Sequence, residues 1–291
     1  MSLNLVCSLV VPSFELNFSI YTLMLALGAF AGIFVCVLRA PLKNSPSGVS
    51  KLYVFLCAFY ALVFGLIGAK LFFVAGNLKY VFDGTRDLFS LFLSGFMFYG
   101  GLFGGAAGIL LFSLVSKTSP ALFFDALAPG VALGQCIGRL GCFFAGCCHG
   151  VHTTGVFSIV YHNSIAEGTP LNVPLVPTQL IESAFCLLIF AVLLFYGRRA
   201  GKVGGGARAC GIKIRQHGNV FVLYLAMYAV LRFIVEFWRG DPVRGFVGLL
   251  SWSQFIGILI LLSIGIYLLI RYIRQRKKIN IEFGKNFLDN Y

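Results

Sequence analysis

The sequence predicts an all-α polytopic membrane protein with seven transmembrane helices, the N-terminus outside, the C-terminus inside, and a small external loop subdomain. Three observations carry that expectation. The 291 residues are 59% apolar and only 11% charged, with a mean hydropathy of +0.90, whereas soluble domains carry roughly 25% charged residues. Seven apolar runs are long enough to cross a hydrocarbon core of about 30 Å. Basic residues are rich in alternate connecting segments and sparse in the others. So few charges cannot cover a water-soluble globule, and so much apolar side chain excludes a disordered chain. Residues 1–291 are therefore read as one seven-helix membrane domain.

The runs are Phe18–Leu38, Leu52–Val74, Leu88–Val115, Ala121–Ile137, Leu180–Phe195, Val220–Trp238 and Leu249–Ile270. They lack period-two alternation, and a backbone in lipid must satisfy its own hydrogen bonds, so each is expected to be helical. The first has neither the basic start nor the cleavage site of a signal peptide and is expected to remain as a span. The fourth is the weakest. It holds Asp125 and Pro129-Gly130 and is expected to be broken or partly buried in protein.

Arg39, Lys43, Lys51, Lys117, six basic residues from Arg198 to Arg215 and six from Arg271 to Lys285 make sixteen on one side. Lys79, Arg86, Arg139, Arg239 and Arg244 make five on the other. The sixteen belong inside. The net charge of +13 is then a property of the surface beside anionic lipid, and no nucleic-acid partner is expected. Between the spans lie an external loop at 138–179, with a short strand expected at Val156–Tyr161, and a glycine-rich, basic cytoplasmic loop at 197–218. A basic tail, 272–291, is expected to anchor the last helix at the cytoplasmic surface. Of nine cysteines, Cys36, Cys57, Cys136 and Cys186 sit in apolar runs and read as small buried hydrophobes.

An ionisable side chain placed mid-span costs at least about 2.5–3.5 kcal/mol, so Lys70, Asp125, Arg139, Glu182, Arg232, Glu236, Arg239 and Asp241 each need a reason. All but Lys70 and Asp125 fall near the external face. Arg232, Glu236 and Arg239, at i, i+4 and i+7, are expected on one helical face, where Arg232 and Glu236 either neutralise a span as an internal pair or serve a site. In the stretch Gly138-Arg139-Leu140-Gly141, glycines on both sides let a guanidinium and backbone amides approach one anionic group, and a phosphodiester suits that fork. The bland alternative for Arg139 and Arg239 is snorkelling to the interface.

Cys142, Cys147, Cys148 and His149, with His152 nearby, offer metal-ligand atoms, but C-x4-C-C-H matches no common zinc spacing, and no metal is expected. A disulfide on this oxidising face and free thiols both stay open. Gly100, Gly101, Gly104, Gly105 and Gly108 read mainly as close helix packing, with Tyr99 facing a polar cavity. Thr178, Gln179 and Glu182 read as an N-cap with an acidic first turn.

Tyr99-Gly100-Gly101-Leu102, Gly138-Arg139-Leu140-Gly141 through Gly150, Pro177-Thr178-Gln179-Leu180 with Glu182, and Arg232 through Asp241 occur in this order. Their order and spacing resemble the bacterial phosphatidylglycerol:prolipoprotein diacylglyceryl transferases over about residues 18–272. The resemblance implies a multi-pass protein of the bacterial cytoplasmic (inner) membrane. It also implies transfer of the diacylglyceryl group of phosphatidylglycerol to the lipobox cysteine thiol of prolipoprotein signal peptides, releasing glycerol phosphate without a cofactor. Arg139 would hold the lipid phosphate and Arg239 would stabilise charge on the departing one. Gly150 would close the loop around the site, Gln179 and Glu182 would shape its floor, and Gly100, Gly101, Arg232 and Glu236 would complete the substrate side. The family typically has His where this chain has Tyr99, and Asn, Asn and Glu at Cys142, Ala145 and Cys147. Tyr99 and His149 are therefore the candidates for taking the acceptor thiol's proton. Two other readings compete: a membrane protein that binds or moves anionic lipid without chemistry, and a thiol-redox membrane protein using Cys142, Cys147 and Cys148.

Overall fold

The computed structural model describes residues 14–40, 49–85, 87–93, 95–155, 157–164, 166, 168–202, 208–209, 212–213, 218–240, 246–247 and 250–288. Among the described residues nine α-helices lie in this order: α1 Phe14–Arg39, α2 Lys51–Asn77, α3 Lys79–Phe82, α4 Leu88–Leu93, α5 Phe98–Val115, α6 Pro120–Ala145, α7 Thr178–Lys202, α8 Asn219–Val235 and α9 Trp252–Leu288. Six of them are long and apolar enough to cross a membrane, and Tyr99–Val115 in α5 is a shorter apolar helix. Large apolar side chains such as Phe30, Leu66, Leu114, Leu188 and Leu262 stand exposed on these helices, as expected of a chain whose solvent is lipid.

Two of the expected spans are corrected. Leu88–Val115 is not one helix: α4 ends at Leu93, and residues 95–97 leave the helical path before α5 begins. Met97 has extended backbone and its N–H donates to Ala69 O at 3.0 Å. Lys70 fills the break, its Nζ donating to Gly95 O at 3.1 Å and lying 4.0 Å from the Phe96 ring centroid. The fourth run, expected to be broken or partly buried in protein, is not broken: it is a continuous helix that runs through Ala145, and it is partly buried, with Pro129 fully so. Gly130 meets α1 there, where a Cβ would strike Gly32 O and the Cys36 sulfur. Pro129-Gly130 thus marks a close helix crossing.

The chain divides into two compact units. One holds residues 23–138 and 186–221. Its core gathers Cys36, Val54, Cys57, Phe112, Phe123 and Leu127. Asp125 lies in this unit too and accepts from the N–H groups of Gly218 at 2.6 Å and Phe221 at 2.9 Å, a carboxylate at the N-terminus of α8. Tyr99, Gly100 and Gly101 also belong here. A Cβ on Gly100 would collide with Gly68 O, so this glycine is required for α2 and α5 to touch, while Tyr99 is 39% exposed.

The other unit holds Arg139–Phe185 and the chain from Val222 onward, with the start of α1. Its loop carries β1 Ile159–Val160 paired antiparallel with β2 Pro174–Leu175, the strand expected at Val156–Tyr161 in shorter form. The basic loop 197–218 falls partly outside the described residues: α7 reaches Lys202, and β3 Arg208–Ala209 pairs with β4 Ile212–Lys213. Asp241 lies outside them altogether. A third pair, β5 Phe246–Val247 with β6 Leu250–Ser251, leads into α9. There the Ser251 hydroxyl accepts from Gln254 N–H while the Gln254 side chain accepts from Ser251 N–H, a reciprocal cap that starts the helix.

Candidate active site

Three separate stretches of the second unit bring their charges together. Arg139 projects from the last turns of α6, Glu182 from the first turns of α7, Arg232 from the end of α8, and Glu236 and Arg239 from the chain just beyond it. Arg139 Nε lies 2.6 Å from Glu182 Oε2, and Glu182 Oε1 lies 2.7 Å from Arg232 Nη1. Arg232 Nη2 lies 3.0 Å from Glu236 Oε2 and donates to Ser253 Oγ at 3.0 Å; Glu236 Oε2 lies 3.9 Å from Arg239 Nη1. The result is an unbroken chain, Arg139–Glu182–Arg232–Glu236–Arg239. Three guanidiniums against two carboxylates leave one positive charge. Both carboxylate side chains are 2% exposed, whereas Arg139 and Arg239 at the ends keep 19% and 16%. Buried anions thus hold the cations in place, and the outer cations face whatever enters.

The expected helical face through Arg239 is corrected. α8 stops at Val235, Glu236–Trp238 form a single 3-10 turn, and Arg239 is extended, with φ −79° and ψ 128°. The extension lets Arg239 bridge antiparallel to Gly150. Gly150 N–H donates to Val176 O at 2.9 Å, Val151 N–H to Trp238 O at 2.8 Å, and Gly240 N–H to His149 O at 3.0 Å. A Cβ on Gly150 would sit 2.6 Å from Val176 O and 2.8 Å from Trp238 O. Three backbone strands therefore meet at a point with no room for a side chain, and that meeting sets the position of Arg239.

The N-cap expected at Thr178 is also corrected. Its hydroxyl donates to Cys148 O at 2.7 Å, and Gln179 Nε2 donates to Cys147 O at 2.7 Å. Both buried side chains clamp the turn that follows α6, where Cys148 has a left-handed φ of +59°. Gln179 Nε2 also reaches the hydroxyl of Tyr161, which donates onward to Phe143 O. His149 is buried, and its Nδ1 pairs with Gly150 O at 3.0 Å.

A family model described as prolipoprotein diacylglyceryl transferase matches residues 9–271. The chain belongs to that family. It is 35% identical over 251 residues to the phosphatidylglycerol–prolipoprotein diacylglyceryl transferase 2 of Clostridium perfringens, covering 86% of this chain and 90% of that one. It is 35% identical to the transferase of Clostridium tetani over 256 residues, 88% of this chain and 94% of that one. The transferase of Dehalococcoides mccartyi (strain 195) is 31% identical over 259 residues, 89% and 90% of the two chains.

Within this diacylglyceryl transferase, sequence reasoning passed over Ser253 and Tyr161, whose partners are distant in the chain and carry no local signature. The cysteines that the sequence groups at the end of α6 do converge on one another. No disulfide links the described cysteines, and the sulfurs of Cys142, Cys147 and Cys148 lie within 4.8 Å of one another. Arg239 Nη2 donates to Cys148 Sγ at 3.4 Å. Hydrogen bonds from the Cys142 and Cys147 thiols, then the charges of Arg239 and Arg139, hold the Cys148 thiol well below the usual range. An apolar groove of about 430 Å³ adjoins the Gly150–Arg239 bridge, lined by Val151, Val176, Ile181, Phe185, Ile234 and Trp238.

Proposed function

We propose that the chain transfers the diacylglyceryl group of phosphatidylglycerol to the thiol of a lipobox cysteine in prolipoproteins, in a bacterial cytoplasmic membrane. The topology we propose has seven spans, counting α5, with the N-terminus outside. The five-residue ion chain, with its single surplus positive charge, carries this reading: a phosphodiester brings one negative charge and several acceptor oxygens, which a pair of anchored guanidiniums grips well. The apolar groove beside Arg239 suits part of the lipid or the apolar residues of the signal peptide. Gln179 Oε1, buried without a hydrogen-bond partner among the described residues, suits a hydroxyl of the glycerol headgroup.

In the reaction the acceptor S–H bond gives up its proton to a base. The sulfur then forms a bond to the glyceryl carbon while that carbon's bond to the phosphate oxygen breaks. The bonding pair leaves on glycerol phosphate, where negative charge grows beside Arg139 and Arg239. Donors fixed before reaction stabilise that charge without reorganising. Tyr99 and His149 are the groups assigned to proton removal.

Replacing Arg139 or Arg239 with Ala removes one such donor, for which about 10²–10³ in rate is expected. The measurement is thioether formation on a lipobox peptide in detergent with phosphatidylglycerol. Wild-type yield from both variants ends the proposal, and lipid transfer between leaflets with no covalent product would favour a lipid-moving protein instead.

A further inference from the structure

Three thiols converge at the foot of α6. Cys142 sits on its last turns, Cys147 and Cys148 follow in the clamped turn, and their sulfurs lie within 4.8 Å of one another. Elsewhere the described cysteines behave as small apolar fillers: Cys36, Cys57, Cys136 and Cys186 are buried, while these three are only partly so. A packing role does not account for three polarizable sulfurs gathered beside two guanidiniums.

The geometry points to a binding site for one thiophilic metal ion held by Cys142, Cys147 and Cys148. Thiolates bind Zn²⁺ at about 2.3 Å, and a trigonal set at that length spaces its sulfurs by about 4 Å, within the separation found here. The backbone is already arranged for it. Thr178 and Gln179 hold the carbonyls of Cys148 and Cys147, and Cys148 takes a left-handed backbone with its sulfur within 4.8 Å of those of Cys142 and Cys147. Outer partners that orient ligands in this way are half of a metal site. Charge agrees as well. Three thiolates around a divalent ion carry one net negative charge, and Arg239 Nη2, 3.4 Å from Cys148 Sγ, is placed to offset it and to donate to a coordinating sulfur. His149 is not a fourth ligand, because its Nδ1 is engaged by Gly150 O and its ring is buried away from the set. A fourth ligand would come from solvent or from an external thiol. The site shares Arg239 with the clamp proposed for the lipid phosphate, but its failure leaves the transferase reading untouched.

The test uses the full chain in detergent, reduced with a phosphine that is then removed, and titrated with Cd²⁺ and with Zn²⁺. One Cd²⁺ per chain should bind with a sulfur-to-cadmium charge-transfer band. That band should vanish in the triple variant Cys142→Ser, Cys147→Ser, Cys148→Ser and persist in Cys57→Ala. Cys147→Ser alone should weaken binding at least about tenfold. If the triple variant does not fold, the wild-type chain decides: Zn²⁺ must slow alkylation of all three cysteines, mapped by peptide mass spectrometry. Binding unchanged by the triple substitution, no binding by a chain whose three thiols are counted as reduced, a phosphine-resistant disulfide among them, or absence of protection each overturns the site.

Discussion

Glu182→Gln keeps the shape of the side chain at the centre of the ion chain and removes its charge. In the wild-type protein this buried carboxylate touches Arg139 Nε at 2.6 Å and Arg232 Nη1 at 2.7 Å. The glutamine would present an amide to two guanidiniums and raise the charge of the five-residue chain from one to two. Removing one partner of a buried ion pair costs about 3–5 kcal/mol, most of it the charge left behind. Arg232 retains Glu236 and Ser253, each at 3.0 Å, so most of the loss falls on Arg139. A cost in that range lowers the unfolding midpoint by on the order of 10 °C. The two tryptophans of the chain, Trp238 and Trp252, both lie in the unit that carries the site, so their fluorescence during heating in detergent reports on it. Thioether formation at a temperature where the variant is folded should fall at least about tenfold, because Arg139 is no longer aimed. The companion Arg139→Gln/Glu182→Gln should recover part of the midpoint, since the stranded cation is gone, but not the activity. A Glu182→Gln protein with an unshifted midpoint and full transfer would refute the idea that buried carboxylates position the arginines.

Gly150→Ala forces a methyl into the crossing of three backbones and should cost about 1–3 kcal/mol; it should also reduce transfer by displacing Arg239, read as a fall in rate per folded molecule. Gly100→Ala should cost a similar amount through the α2–α5 contact, and a rate per folded molecule close to wild type would separate packing from substrate binding at that glycine. For proton removal, the acceptor thiol has an ordinary pKa of about 8.5. Whichever of Tyr99→Phe and His149→Gln removes the base should regain rate by about tenfold per pH unit below that value, whereas Arg139→Ala should stay low throughout. Glycerol phosphate, whose second ionisation is centred at about pH 6, should inhibit more strongly at pH 7.5 than at pH 5; inhibition that ignores pH would count against a phosphate clamp.

Composition and run length were enough to reveal long apolar helices, because the thickness of a bilayer dictates both. The exceptions are instructive. The break before α5 was invisible because Leu88–Val115 is largely apolar, and Lys70 and the Ala69 carbonyl that satisfy the freed backbone come from α2. Pro129-Gly130 pointed to a break that α6 does not have, since a glycine beside a proline serves equally well for close contact with Gly32. Among site residues, Arg139, Glu182, Arg232, Glu236 and Arg239 were legible because charge in an apolar span is costly wherever it occurs. Their pairing was less so. Arg232 with Glu236 follows from helical spacing, but the contact of Glu182 with both Arg139 and Arg232 joins residues from separate helices. Thr178 and Gln179 looked like helix-start chemistry, yet their partners are carbonyls some thirty residues earlier in the chain.

The arrangement of charge explains why two carboxylates would accompany the arginines in the site we propose for an anion. Three guanidiniums alone would repel one another and would have to be ordered afresh each time a lipid arrived. With Glu182 and Glu236 buried between them, the side-chain ordering is completed during folding, and the binding energy of the phosphate is not spent on it. The carboxylates remain in the interior while the end arginines keep their partial exposure, so an incoming anion meets cations first. A single surplus charge is enough to attract a phosphodiester, and it is too little to hold a more highly charged phosphate product as tightly as three unpaired arginines would.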